Sequence, residues 1–144
     1  MLVLFDSTVF LVEVKAGQLH ASTRRGAPAR TQQDYRKLIE AASAQASRAE
    51  QYIKHNTAPI FRIKGGKECI LDKKRFREIR KVCVSLSPVD LFSTMVFQAA
   101  EAVGLPQDDY PWIVCLPDLM VISDLLQYPA QLLHYLSRLS LIHI

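Results

Sequence analysis

Val9-Phe10-Leu11-Val12-Glu13-Val14-Lys15 is the stretch from which the rest of the chain is read. In an extended strand side chains alternate, so Val9, Leu11, Glu13 and Lys15 share one face and Phe10, Val12 and Val14 the other. Apolar residues on both faces predict a strand covered on two sides, as in the middle of a sheet. The strand ends in a carboxylate and an ammonium two residues apart, which is costly unless they pair, bind a metal or face a cleft. Glu13 is a hard oxygen ligand suited to Mg²⁺ or Mn²⁺. Lys15 can orient or deprotonate a water, or stabilise charge on a phosphate. Metal, activated water and cation together suit phosphodiester hydrolysis. The plain alternative is a partly exposed ion pair where a strand leaves the core.

Ahead of this strand, Met1 to Phe5 is apolar and Asp6-Ser7-Thr8 is a polar turn cluster, which predicts a β-hairpin. With all three residues in the turn, Phe5 pairs with Val9 and Met1 faces Glu13. Behind it come Ala16-Gly17 and a basic segment holding Arg24, Arg25, Gly26 and Pro28. Thr31 and Asp34 then have the spacing of a helix cap and its capping-box acid. Tyr35, Leu38, Ile39, Ala42, Ala46, Ala49 and Ile53 recur at helical spacing to about His55, and Asn56 and Pro59 end the run. Gln45 lies beside Ala42 and Ala49 on the inward side, where an amide needs a partner; alternatively it marks the edge of the packed stripe.

Hairpin, Glu-x-Lys, then helix: from Leu2 to Tyr52 the chain resembles the PD-(D/E)XK nuclease superfamily, with its restriction-endonuclease-like fold. The likeness is carried by Val12-Glu13-Val14-Lys15-Ala16-Gly17 and Arg24-Arg25-Gly26-Ala27-Pro28, and points to an uncharacterised bacterial branch. It implies Glu13 as metal ligand, Lys15 as catalytic amine and Gln45 as support from the helix. It also implies a second metal-binding Asp on the strand before Glu-x-Lys. With Met1 facing Glu13, that Asp would fall at or just before Met1, and Asp6 is at the wrong end. The chain is then a fragment of a longer protein, has been assigned a late start, or has lost its first metal ligand; a domain cut short at its start, with cleavage impaired, is the expectation.

Further along, Pro59 to Ile63 and Glu68 to Leu71 flank Lys64-Gly65-Gly66-Lys67, a second predicted hairpin. Asp72 to Arg77 reads as a short basic turn or helix, Lys81 to Leu86 as a strand, Pro88 to Val103 as a helix and Trp112 to Leu116 as a buried strand. Leu119 to Ile122 either extends that strand or begins a helix, Ser123 caps a helical turn, and a last helix runs from Pro129 to about Arg138. This pattern predicts one α/β domain over residues 1–144, a mixed central sheet flanked by helices.

Composition narrows the function classes. Cys69, Cys83 and Cys115 lie apart in apolar runs with no Cys-x-x-Cys, which argues for buried thiols in a cytoplasmic protein over a zinc site or disulfide framework. No apolar run is long enough to span a membrane, and the N-terminus lacks the basic region of a signal peptide. Met1 to Lys81 carries 17 Lys/Arg against 8 Asp/Glu, whereas Val82 to Ile144 carries 1 against 6. A basic half suits nucleic acid, DNA before RNA, with Arg24, Arg25, Lys73 and Lys74 as phosphate contacts, although such charges also serve as solvated faces. Three functions follow as expectations: a metal-dependent nuclease, a non-catalytic nucleic-acid-binding relative, or a protein-interaction domain.

Overall fold

The computed structural model describes residues 1–17, 19–25, 27–86, 88 and 111–142. Within them β2 (Thr8–Lys15) lies between β1 (Leu2–Phe5) and β5 (Glu78–Ser85), and β6 (Trp112–Cys115) completes a four-stranded sheet of order β1-β2-β5-β6. β1 pairs antiparallel with β2, while β2, β5 and β6 run parallel, so the sheet is mixed. Thr8, Val9, Phe10 and Leu11 are all buried, as a strand apolar on both faces requires.

Helices cover both faces. After β2 come α1 (Ala21–Arg24), α2 (Pro28–Tyr35), a π turn over Arg36–Glu40, and α3 (Ala41–His55). Val9 and Leu11 pack on Ala46 and Ile53 of α3, and Leu38, Ile39 and Ala42 pack on Cys83, Ile113 and Cys115. On the opposite face Phe10, Val82, Val84 and Val114 pack on Leu136 of α5 (Pro129–Ile142), with α4 (Leu116–Leu125) beside it. The alanines of α3 allow the close helix–sheet approach. Gly17 serves the same purpose: a Cβ there would stand 2.5 Å from Cδ2 of Leu38. A separate two-stranded ribbon, β3 (Ile60–Arg62) and β4 (Glu68–Ile70), turns through Gly65 and Gly66, both at positive φ.

Several expectations need correction. The first hairpin turns on Asp6 and Ser7 alone, so Phe5 pairs with Thr8 and Leu2 with Leu11. Asp6 tolerates the left-handed φ of 49° that this tight turn demands. Met1 consequently exchanges backbone hydrogen bonds with Val12, and the position across from Glu13 falls one step before Met1. The long helix starts at Pro28, not at a Thr31 cap, because proline suits a first turn, and Asp34 is committed elsewhere. Leu116 to Leu125 is helical, with Pro117 in its first turn, and Ser123 bonds back to the Met120 carbonyl inside it. Cys69 is exposed on the ribbon, whereas Cys83 and Cys115 are buried free thiols. The helix expected over Pro88 to Val103 lies outside the described residues, Pro88 excepted.

Candidate functional site

Glu13 and Lys15 occupy the carboxyl end of β2, on the sheet face covered by α3, opposite Cys83 and Ser85 of β5. This is the end at which parallel α/β sheets bind ligands. Lys15 Nζ stands 3.4 Å from Oε1 of Gln45 on α3, a long hydrogen bond. Gln45 is exposed at the edge of the packed stripe formed by Ala42 and Ala46. Chain segments thirty residues apart thus bring together the amine and the amide picked out in the sequence. One acceptor occupies one of the three N–H donors of Lys15, leaving the others for a phosphate or water.

Glu13 keeps 16% of its side chain exposed and has the Met1 α-ammonium 4.0 Å from Oε1. Between β2 and β6 sits the Cys83 thiol. Burial pushes it up to about 11, while the Lys15 ammonium acts to lower it and the Glu13 carboxylate to raise it. At neutral pH this thiol is protonated and inert.

A metal finds only part of a site here. Mg²⁺ takes one or two protein carboxylates along with water and phosphate oxygens. Glu13 supplies one, the minimum. Among the described residues no group of three or more His, Cys, Asp or Glu side chains converges to hold an ion. Asp6, at the opposite end of the hairpin, lies about 23 Å from the level of Lys15 at strand rise.

Beyond β2, the sequence reading missed a polar web. Asp34, 2% exposed, accepts hydrogen bonds from Thr23 Oγ1 at 2.6 Å and the His20 backbone N–H at 2.9 Å, and its Oδ1 lies 2.7 Å from His20 Nδ1. Arg30 adds a contact to His20 Nε2 and lies 3.9 Å from the Asp34 carboxylate. Burial alone would raise the Asp34 carboxyl, but the bonds from Thr23 and His20 outweigh it and hold the group down to about 2. This web ties α1 to α2 over the carboxyl end of the sheet. The only trace of it in sequence was the polar spacing of His20, Thr23, Arg30 and Asp34, which also fits helix capping.

The four candidate phosphate contacts separate into two places. Arg24 and Arg25, at the end of α1, follow β2 and so belong to the Glu13 end; Arg25 is exposed. Lys73 and Lys74 form a 3₁₀ turn (Lys73–Arg75) just before β5, at the Thr8 end of the sheet, where the Arg77 N–H bonds Ser7. Lys73 is moreover tied by its ammonium to the Lys54 carbonyl at the end of α3. No protein-family model, curated protein or solved structure matches the chain. On the far face of the sheet an open groove of about 520 Å³ is lined by Leu126, Ala130, Gln131, His134, Tyr135 and Arg138, and holds no acid–amine pair. No described helix is long and apolar enough to cross a membrane.

Proposed function

We propose that this chain carries the core of a metal-dependent nuclease of the PD-(D/E)XK type, acting on phosphodiester bonds of nucleic acid, DNA before RNA. The reading rests on the resemblance of residues 2–52 and on one observation: Lys15 reaches Gln45 on the sheet face and at the strand end where Glu13 stands. Glu13 would hold Mg²⁺ or Mn²⁺, which when bound polarises a phosphate and lowers the pKa of its water. The Lys15 ammonium, steadied by Gln45, stabilises charge that develops on the phosphate oxygens in the transition state. Among the described residues Glu13 is the one carboxylate on this face beside Lys15, Asp34 being taken up by Thr23 and His20, so weak or no cleavage is expected of these residues alone.

Having one such acid among the described residues also supports a second reading, in which the fold binds nucleic acid without cleaving it. One experiment separates the two. An Asp added one residue ahead of Met1 stands across from Glu13, within reach of a shared ion. With Mg²⁺ and end-labelled DNA, this extended chain should cut about 100-fold faster than the parent, and Glu13→Ala or Lys15→Ala should abolish the gain without unfolding the protein. Equal cleavage by the alanine variants defeats the nuclease reading; no cleavage by any form favours binding alone.

A further inference from the structure

We propose that the β3–β4 ribbon and the basic turn after it form a second docking surface, built to lie against a DNA duplex at the opposite end of the sheet from Glu13. The proposal rests on the nucleic-acid part of the reading above and is independent of cleavage. From Arg62 to Arg77 the chain carries seven cations and two acids. Arg62, Lys64, Lys67, Lys74, Arg75 and Arg77 are all exposed. Among the described residues none of these six has an acid within ion-pair distance, whereas Arg30, Arg36, Lys54, Arg80 and Lys81 each have one. Cations left without acids on a surface this dense repel one another unless a polyanion covers them.

The ribbon is held firmly enough to present them. On its inner side Phe61 packs edge-on against Tyr52 of α3, ring centres 5.6 Å apart, and joins the Val9–Ile53 cluster. The Tyr52 hydroxyl donates to the Ile60 carbonyl and accepts from the Ile60 N–H. Asp72 closes the following turn by accepting from the Lys74 N–H at 2.9 Å. The outer side shows Ile60, Arg62, Glu68 and Ile70, with Lys64 and Lys67 at the glycine tip. A two-stranded ribbon has the width that the major groove of B-DNA admits. Ile60 and Ile70, 46% and 64% exposed, suit apolar contact with base edges such as the thymine methyl, while the tip lysines reach the flanking phosphates.

The test is fluorescence anisotropy of a labelled duplex of about 20 base pairs, titrated with the whole chain across about 50 to 200 mM salt. The combined variant Arg62→Ala, Lys64→Ala, Lys67→Ala should flatten the plot of log affinity against log salt by about 2.7, because three phosphates are no longer neutralised. The combined variant Glu13→Ala, Lys15→Ala should bind the duplex with a slope changed by about 1 at most. An unchanged slope in the ribbon variant, with its circular dichroism intact, overturns the proposal. So does failure of the parent chain to bind duplex, or binding of anionic phosphatidylserine vesicles in preference to it. A ribbon variant that binds weakly although no form cleaves leaves the docking surface standing and removes only the nuclease reading.

Discussion

Among the described residues, most charged and polar side chains at the carboxyl end of β2 are tied to one another, whereas at its amino end most of the cations stand apart from any acid. Lys15 with Gln45, Glu13 with the Met1 ammonium, and Asp34 with Thr23, His20 and Arg30 hold these groups of the first end in place, while Arg25 stays exposed beside them. Near the other end, Glu50 takes up Lys54 at 2.6 Å and the buried Lys81 at 3.5 Å, and the exposed cations of residues 62–77 are left over. Under the proposed function the contrast suits two tasks. Chemistry on a phosphate needs few groups in fixed positions, whereas holding a polyanion needs many charges and tolerates loose placement.

The largest effect expected from breaking this contrast is at Lys15. In the Asp-extended chain, Lys15→Ala should lower the cleavage rate about 100-fold and Gln45→Ala about tenfold, while duplex affinity measured with the ribbon intact stays within about twofold. A Gln45→Ala variant as impaired in binding as in cleavage would show that the two ends do not divide the work.

Next comes the Asp34 web. Asp34→Ala strands the Thr23 and His20 donors and should cost about 3 kcal/mol in urea unfolding at pH 7. Because folding depresses this carboxyl, its stabilisation is present in full above the ordinary carboxylate range and fades as pH falls toward about 2. The gap between parent and variant should therefore close between about pH 4 and pH 2. A gap constant over that range would mean that Asp34 contributes by packing and not by charge.

At the amino end, Glu50→Ala should cost about 2 kcal/mol, since it strips an acid from the buried Lys81, while Lys81→Met should cost less because Glu50 keeps Lys54. Thermal unfolding of both variants gives the order, and a reversed order would deny that Lys81 depends on Glu50. The smallest effect sharpens the picture without altering stability. Iodoacetamide at about pH 8 should modify exposed Cys69 at once and Cys83 only after unfolding, because burial holds that thiol protonated. Prompt labelling of Cys83 would show an open path to the Glu13 end.

Periodicity made much of this molecule legible. Val9 to Leu11 announced a central strand, Gly65-Gly66 a ribbon, and Leu38 to Ile53 a helix against the sheet. Helical spacing put Gln45 on the inward side, whereas it is exposed at the edge of the stripe; its place beside Lys15 was suggested by the family resemblance alone. What escaped depended on contacts that no local pattern encodes. A two-residue turn and a three-residue turn over Asp6-Ser7-Thr8 look alike in sequence, yet one step of register moves Met1 from Glu13 to Val12. Asp34 sits three residues beyond Thr31 as a capping acid does, and only the fold of residues 19–25 shows that it serves α1 instead. The basic residues were visible as a count, whereas their division between two ends of the sheet follows from the parallel crossover to β5.

The most direct test of the proposed metal site uses paramagnetic Mn²⁺ on the isotope-labelled chain. Substoichiometric MnCl₂ should broaden the amide signals of Val12 to Lys15 and of Cys83 to Ser85 first, leave those of Arg62 to Lys67 sharp, and lose its effect in Glu13→Ala. Broadening that spares Glu13, or that persists undiminished once its carboxylate is removed, would contradict the account.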